Sequence, residues 1–155
     1  MIKMVEEIFN DEKYNNWSLE IYGDGEEEEY LKSLIHTSQI KLMGPTSNIE
    51  DVLLSSSINL NTSENEGFPM TILEAYACGV PTVSLVFGES IYESIIDNKT
   101  GFVCNNEEEF KDKLKELMDN KELLIEFSNN GKEYCKNFKK DIIVNDWDNL
   151  FNNVK

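Results

Sequence analysis

Short apolar runs alternate with amphipathic helical patterns along almost the whole chain, and this alternation restricts the fold more than any other feature. Apolar runs bounded by Gly, Pro, Asn or Ser predict strands, and apolar residues three or four apart predict the helices between them. The alternation is typical of a parallel sheet with helices on both faces. We therefore predict an α/β fold built on a Rossmann-like parallel sheet. The predicted strands are residues 17–22, 40–43, 58–60, 82–86 and 101–104.

The helical segments carry start signals in the sequence. Ile2 and Val5 begin an apolar face that continues to Phe9, so the chain is expected to start directly in a helix. Asn48 or Ser47 is expected to cap a later helix, because either side chain can accept a hydrogen bond from a free helical amide. Further helices are predicted from the acidic run 26–29 to residue 35, and at 71–78, 90–96, 106–118, 121–138 and 142–151.

The composition indicates one folded, acidic domain. At 155 residues and 40% hydrophobic content the chain can bury a substantial core, and we expect residues 1–155 to form a single domain. The formal net charge of −16 disfavours nucleic acid as a partner, because phosphate backbones bind to basic surfaces. All 14 basic residues are Lys, so the chain lacks Arg, the usual bidentate clamp for phosphate.

The cysteines and the apolar runs bear on location and on metal binding. Cys78, Cys104 and Cys135 form no CxxC pair and have no metal-ligand spacing with His36, so we interpret them as core residues. Scattered thiols fit a reducing compartment, and no run reaches the ~20 apolar residues of a transmembrane helix. We expect a cytoplasmic protein without a transmembrane segment or a bound metal.

Candidate functional residues are concentrated in residues 63–82. Glu66 is followed by the turn Gly67-Phe68-Pro69, and Glu74 lies eight positions after Glu66 in a predicted helix. Pro sets the chain direction just before a helix, and Gly lets the backbone approach a ligand closely. A carboxylate, an exposed turn, a helix N-terminus and a second carboxylate together suit a sugar that is joined to phosphates.

The start of this helix is expected to hold the phosphates. Free amides at a helix N-terminus and the helix dipole together bind anions, so we expect the amides of Met70, Thr71 and Ile72 to meet a diphosphate. The carboxylates would accept hydrogen bonds from hydroxyl groups, Glu66 from the sugar and Glu74 from the ribose.

Two other turns also follow predicted strands and belong to the same expected site. They are Gly23-Asp24-Gly25 and Met43-Gly44-Pro45. In open parallel sheets ligands bind at the carboxyl ends of the strands, so these turns and the Glu66 turn should converge on one rim. The Gly23-Asp24-Gly25 sequence alone is also a common turn, and both readings of it stay open.

At these residues the chain resembles the retaining glycosyltransferases of group 1, family 4, which have the GT-B fold. The paired glutamates of that family stand here as Glu66-Gly67-Phe68 and as Glu74-Ala75-Tyr76-Ala77-Cys78-Gly79-Val80-Pro81. Leu19-Glu20-Ile21-Tyr22-Gly23-Asp24-Gly25 is similar to the second strand and its turn, and Thr100-Gly101-Phe102-Val103 to the segment before the terminal helices. The resemblance runs through essentially all 155 residues and is to the C-terminal, nucleotide-sugar-binding domain.

The resemblance implies a UDP- or GDP-sugar donor, no cofactor and no metal at the donor site. It makes Glu66 the candidate catalytic residue, acting by binding and electrostatics and not as a covalent nucleophile. Two plainer readings stay open, Phe68 as a core residue and Glu74 as an ordinary exposed helix residue. The other implied contacts are Gly67, Phe68 and Pro69 with the sugar, Met70, Thr71 and Ile72 with phosphate, and Glu74, Leu42, Met43 and Gly23 with the nucleotide.

The resemblance also implies that one half of a two-domain enzyme is present. The N-terminal acceptor domain, the first strand and the Arg and Lys that clamp phosphate have no counterpart. Because the first strand is central in the order 3-2-1-4-5-6, we expect a five-stranded sheet with a compromised centre, or dimerisation. The predicted function is donor binding for hexosyl transfer to a glycan or lipid-linked acceptor in surface polysaccharide biosynthesis, with weak or no activity of the isolated chain.

Two alternatives to this function stay open. The chain could be a non-catalytic subunit that binds a nucleotide sugar, or an inactive truncated glycosyltransferase. The expected partner is a separate acceptor-domain chain or a second copy of this chain. The sugar, the base and the acceptor are not specified by the sequence.

Overall fold

The computed structural model describes residues 1–153. Parallel strands alternate with helices through this range, and the predicted α/β fold is confirmed. The strands are β1 (Leu19–Tyr22), β2 (Ile40–Gly44), β3 (Asn59–Asn61), β4 (Thr82–Leu85) and β5 (Gly101–Cys104). The α-helices are α1 (Ile2–Phe9), α2 (Glu28–Ser33), α3 (Ile49–Ser55), α4 (Met70–Ala77), α5 (Ile91–Ser94), α6 (Glu107–Asp119), α7 (Lys121–Tyr134) and α8 (Lys140–Asn153). Short 3₁₀ turns occupy Glu12–Tyr14 and Cys135–Phe138.

The five strands form two sheets, which corrects the expectation of a single five-stranded sheet. One sheet pairs β1 with β2, with Leu19 opposite Ile40, and the other has the order β3-β4-β5. In the second sheet Thr82 lies between Asn59 and Gly101 in register. Every ladder is parallel, as the alternation of strands and helices predicts.

A cleft separates the two sheets. A cavity of about 660 Å³ lies there, between the free edges of β1 and β3. Its lining mixes apolar side chains, among them Val5 of α1, Leu53 of α3 and Leu114 of α6, with polar residues that include Asn16 and Ser55. The two edges do not pair directly with each other within residues 1–153, so the compromised centre appears as a gap and not as a rearranged ladder.

The two larger of three apolar clusters hold helices against the strands. In the larger one, Val5 of α1 and Phe110 of α6 pack with Phe102 of β5, and all three are almost fully buried. The second cluster joins α4 to α5 and β5 and is the one beneath the candidate site. Its buried members are Ile72, Leu73, Tyr76, Ile91, Ile95 and Val103.

Helix caps follow the sequence signals closely. Asn48, and not Ser47, caps α3 by accepting a hydrogen bond from the Asp51 amide, and Asn106 caps α6 in the same way from the Glu109 amide. The α7 segment was expected to be helical through residue 138, but the α-helix ends at Tyr134 and tightens into a 3₁₀ turn. Such tightening is common in the last turn of a helix.

Two predicted boundaries near the N-terminal sheet are wrong. The strand begins at Leu19 and not at residue 17, because the Trp17 amide donates to the Tyr14 carbonyl in a turn. Helix α2 spans only six residues, so Leu34 and Ile35 lie beyond its end. Both errors concern the ends of short elements, where a local hydrogen bond decides the boundary.

Helix α8 has no buried residue. Its apolar side chains are exposed, and Trp147 stacks on Phe151 with ring centroids 5.6 Å apart. Within the described residues, no helix is both long enough and apolar enough to cross a membrane.

Candidate functional site

Glu66 lies in the loop that connects β3 to α4, and its carboxylate is exposed. The Ser63 hydroxyl donates a hydrogen bond to Oε1 of Glu66 over 2.9 Å. The Ser90 hydroxyl, from the loop before α5, donates to the Glu66 backbone carbonyl over 3.3 Å. Side chain and backbone of Glu66 are therefore held from two different parts of the chain.

A buried amide fixes the start of this loop. Asn61, the last residue of β3, is only 9% exposed, and its Nδ2 donates to the Ser84 Oγ of the neighbouring strand over 3.1 Å. Its Oδ1 accepts a hydrogen bond from the Ser63 backbone N–H over 3.2 Å. Sequence reasoning missed Asn61 and Ser63. The available signal was a polar residue in an otherwise apolar strand, immediately before the candidate loop.

Phe68 anchors the other end of the loop in the core. Its ring is half-buried and lies 5.5 Å, centroid to centroid, from the ring of Phe138. Pro69 beside it is buried. The side chain of Phe68 is therefore a packing residue, as the plainer interpretation predicts. Its backbone joins the exposed Gly67 to the start of α4.

Two backbone amides, and not three, are free at the start of α4. The helix begins at Met70, one residue before the predicted start, with Pro69 as its N-cap. The Ile72 amide donates to the Pro69 carbonyl over 3.1 Å, so it is already engaged. The Met70 and Thr71 amides donate to no group among the described residues. The positive end of the helix dipole is thus combined with two available N–H donors.

Glu74 lies one turn further along α4, on the same side of the helix as Met70. Both side chains are exposed, whereas Ile72, Leu73, Ala75 and Tyr76 on the opposite side are buried. The core contacts therefore fix which side of α4 faces outward.

Three predicted nucleotide contacts lie at the ends of β1 and β2. The Gly23 amide donates to the Gly44 carbonyl over 2.9 Å, which joins the two strand ends. Gly23 has a φ of +135°, a conformation that residues with a side chain rarely adopt. Leu42 is half-buried and Met43 is 45% exposed. No hydrogen bond within residues 1–153 joins these residues to the Glu66 loop.

The site is acidic apart from its backbone amides. Glu64, Glu66 and Glu74 are exposed, as is Glu89 in the loop before α5, and none of the four forms an ion pair with Lys in the described part of the chain. Lys132 lies at the opposite end of α4, where its side chain packs over Gly79. An anion at this site would be held by amides and the helix dipole.

The cavity between the sheets is a separate feature. None of the predicted donor-site residues lines it. Glu66, Gly67, Met70 and Glu74 are instead exposed on the Glu66 loop and at α4, outside this cavity.

Residues 1–134 match the family described as glycosyl transferases group 1. The chain belongs to the group 1 glycosyltransferases. It is 32% identical over 141 residues to an uncharacterized glycosyltransferase of Haemophilus influenzae. It is 26% identical over 147 residues to the poly(ribitol-phosphate) alpha-N-acetylglucosaminyltransferase of Staphylococcus aureus. These alignments cover 87% and 90% of this chain.

Solved structures show the same fold. A crystal structure of an S. aureus TarM mutant in complex with fondaparinux, alpha-GlcNAc-glycerol and UDP superimposes with a TM-score of 0.88 at 26% identity, covering 97% of this chain. The GtfA/B complex gives a TM-score of 0.84 at 21% identity over 99% of this chain. The chain therefore has the fold of the C-terminal, Rossmann-like half of a GT-B glycosyltransferase.

The chain spans less than half of the proteins it matches. It covers 40% of the Haemophilus relative and 30% of the Staphylococcus enzyme, and 32% and 33% of the chains in the two structures.

Proposed function

We propose that this chain is the donor-binding domain of a retaining glycosyltransferase and binds a UDP- or GDP-sugar. The observation that carries the proposal is the continuous path from Glu66 through Gly67-Phe68-Pro69 to the free amides of Met70 and Thr71. The exposed carboxylate of Glu74 lies one turn beyond. A sugar, a diphosphate and a ribose are linked in the same order in a nucleotide sugar.

Each group in this path has a defined role in the proposal. Glu66 accepts hydrogen bonds from the transferred sugar and stabilises positive charge that develops at its anomeric carbon. The Met70 and Thr71 amides bind the diphosphate, and Glu74 binds the ribose hydroxyls. Gly67, through its backbone, lines the sugar pocket, while Gly23 and Met43 lie against the nucleotide.

Isothermal titration calorimetry with UDP-glucose, UDP-N-acetylglucosamine and GDP-mannose tests donor binding directly. We expect heat with at least one of them, and a loss of binding in Glu66→Gln combined with Glu74→Gln. Glu12→Gln and Glu122→Gln, which lie outside the site, form the matched double control. No heat with any donor, or equal binding by the two double variants, would contradict the proposal.

The proposed reaction is transfer of a hexosyl group, with retention of its anomeric configuration, to a glycan or lipid-linked acceptor. The printed names of the relatives support this acceptor class. They include the poly(ribitol-phosphate) enzyme of S. aureus and a Campylobacter jejuni transferase that acts on a PP-undecaprenol-linked glycan. We place the reaction in surface polysaccharide synthesis on the cytoplasmic side. Analysis of the product linkage by NMR tests retention.

The donor site is proposed to work without a metal or cofactor, because helix amides serve as the phosphate contacts. EDTA should then leave the affinity for the nucleotide sugar unchanged. Weaker binding in EDTA, restored by Mg²⁺ or Mn²⁺, would contradict this part of the proposal.

Charge supports a second candidate, a nucleotide-sugar-binding subunit without turnover. The chain carries a net charge of −16 and no Arg, so the amides at the site neutralise only part of a diphosphate. A charge-assisted hydrogen bond contributes about 1.5–3 kcal/mol. A donor site that lacks two such contacts, from an Arg and a Lys to the diphosphate, would therefore bind the nucleotide sugar more weakly by several powers of ten. Binding without transfer, even with acceptor and partner present, would favour this candidate. An inactive fragment would bind nothing.

The partner proposed to complete the enzyme is a separate chain that carries the acceptor domain. The cleft between β1 and β3 supports this, because its two unpaired parallel edges can pair with both sides of one inserted strand, and side chains such as Val5 and Leu114 offer it apolar contacts. Each of the five strands described here already belongs to a sheet, so a second copy has no such strand to offer without unfolding. Sedimentation equilibrium of the isolated chain should give a monomer, and a stable dimer would favour the homodimer.

A further inference from the structure

Three polar side chains connect Glu66 to the centre of the β3-β4-β5 sheet. Ser84 of β4 donates its hydroxyl proton to the Leu85 carbonyl over 2.8 Å, so its oxygen is free to accept from Asn61 Nδ2. Asn61 Oδ1 accepts the Ser63 backbone N–H. The Ser63 Oγ then lies 2.9 Å from Asn61 Oδ1 and 2.9 Å from Glu66 Oε1.

The number of available protons decides the direction of the last bond. Both neighbours of the Ser63 hydroxyl are acceptors, and a hydroxyl has one proton to donate. Asn61 Oδ1 already receives the Ser63 N–H, and a hydrogen bond to a charged carboxylate is the stronger of the two choices. The hydroxyl proton therefore points to Glu66, whereas the Ser63 N–H and the Asn61 amide group donate in the opposite direction, toward the sheet.

The two oxygens of Glu66 consequently have different environments. Oε1 is held by Ser63, whereas Oε2 accepts no hydrogen bond within residues 1–153. An exposed Glu side chain normally samples several rotamers, and ordering it when a ligand binds costs free energy. A carboxylate that is already ordered keeps one oxygen available for a ligand hydroxyl without that cost.

We infer that Ser63 is a positioning residue that orients Glu66 for the sugar of the donor, with Asn61 as its anchor on the sheet. The inference rests on the proposed function and adds to it the residue that sets preference for a nucleotide sugar over the free nucleotide. Ser63 contacts no donor in this scheme and acts only through Glu66.

The test compares a sugar nucleotide with its own nucleotide, because a purely structural role would not change the ratio of the two affinities. The probes are UDP and whichever UDP-sugar the wild-type chain binds, or GDP and the corresponding GDP-sugar. In Ser63→Ala we expect about tenfold weaker binding of the sugar nucleotide and unchanged binding of the free nucleotide. Ser63→Thr keeps the hydroxyl and should restore the wild-type ratio.

Ser33→Ala is the matched control, since that serine donates to the Tyr30 carbonyl on α2, outside the site. Circular dichroism establishes that all variants fold. Equal weakening of both ligands in Ser63→Ala, or no weakening of either, would overturn the inference.

A ligand-free measurement separates failure of this inference from failure of the proposed function. Three-bond scalar couplings from NMR report the χ1 rotamer of Glu66. We expect one dominant rotamer in the wild-type chain and an average over several in Ser63→Ala. If no nucleotide sugar binds, the proposed function fails while the couplings still assess the positioning of Glu66. Averaged couplings in the wild type would overturn the positioning role even if a donor binds.

Discussion

The hydroxyl of Tyr76 lies 2.9 Å from Oγ1 of Thr100, and both groups are buried. This hydrogen bond joins α4, which carries the free amides and Glu74, to the residue that precedes β5. The ring of Tyr76 also packs against α7, where an added Cβ at Gly131 would lie only 2.9 Å from Cδ1 of Tyr76. Burial raises the pKa of the Tyr76 phenol, so it stays protonated and able to donate. The orientation of α4 is therefore set from its buried side.

We predict that Tyr76→Phe lowers the free energy of unfolding by about 1 kcal/mol, the net contribution of a typical buried hydrogen bond. Thr100 Oγ1 still accepts from the Ile96 amide in this variant, which limits the loss. Urea unfolding measures the change. Tyr92→Phe is the control, because Tyr92 is 56% exposed, and its stability should stay within about 0.5 kcal/mol of wild type. A smaller loss in Tyr76→Phe than in Tyr92→Phe would contradict the prediction.

Alanine substitutions at Gly67 and at Gly101 should have different effects, the first on donor binding and the second on stability. A Cβ on Gly67 would meet no atom within 4 Å, and the φ of Gly67 lies outside the left-handed region. A Cβ on Gly101 would lie 2.1 Å from the backbone oxygen of Thr82 in the adjacent strand. Gly67→Ala should therefore keep wild-type stability and weaken donor binding about tenfold, because a methyl group projects into the sugar pocket.

Gly101→Ala should instead lower the free energy of unfolding by at least about 1 kcal/mol, since the crowded atom belongs to the backbone and cannot rotate away. Thermal unfolding and calorimetry on both variants provide the measurements. The prediction is wrong if Gly67→Ala destabilises the chain as much as Gly101→Ala, or if it binds the donor as tightly as wild type.

Acid should weaken the contact between α1 and the loop before β2. Glu6 Oε1 accepts the backbone N–H of His36 over 2.6 Å, and Oε2 lies 3.1 Å from the His36 Nδ1. The backbone hydrogen bond from His36, followed by that from its ring, lowers the pKa of Glu6 below the ordinary glutamate value of 4.5. The ionised carboxylate thus stabilises the folded state above the unfolded-state pKa, and this contribution is lost as pH falls through the lower folded-state pKa.

Urea unfolding of wild type and Glu6→Gln between pH 7 and pH 3 tests this sign. The stability difference between the two proteins should be present above pH 4.5 and should shrink as the pH falls below it. Glu89→Gln is the control, because the Glu89 carboxylate accepts no hydrogen bond among residues 1–153. A difference that grows toward low pH would show that the assigned interaction is wrong.

The order of strands and helices could be read from the sequence because each element has its own local apolar period and its own end signals. The Asn106 cap and the start of β5 at Gly101 depend on neighbouring residues alone, and both were predicted correctly. The division into two sheets could not be read in this way. It depends on whether β1 and β3, about 40 residues apart, come close enough to pair.

The same distinction applies to the site. The Glu66 loop and the start of α4 are contiguous in sequence, so their proximity follows from the motif. The bond from Ser90 to the Glu66 carbonyl and that from Asn61 to Ser84 join residues more than 20 positions apart. The Ile72 amide donates to the Pro69 carbonyl because α4 starts at Met70. The sequence predicted a start at residue 71, one residue later, and so counted the Ile72 amide as free.

The last prediction concerns Glu74 and the ribose. If its carboxylate accepts hydrogen bonds from the ribose hydroxyls, the wild-type chain should bind UDP about tenfold more tightly than 2′-deoxy-UDP. Glu74→Gln retains the shape of the side chain but loses the charge, so the preference for UDP should fall to about twofold or less, mainly through weaker binding of UDP. The buried side of α4 is untouched by this substitution, and stability should not change.

Calorimetry with both nucleotides, on wild type and on Glu74→Gln, measures the two ratios. If the free chain prefers GDP, then GDP and 2′-deoxy-GDP replace the uridine pair. Glu122→Gln in the first turn of α7 is the matched control and should keep the wild-type preference. An unchanged preference together with unchanged affinities in Glu74→Gln would return Glu74 to the plainer interpretation of an exposed helix residue. Binding that falls equally for both nucleotides would instead assign the effect of Glu74 to a group that the two ligands share, because only the 2′-hydroxyl distinguishes them.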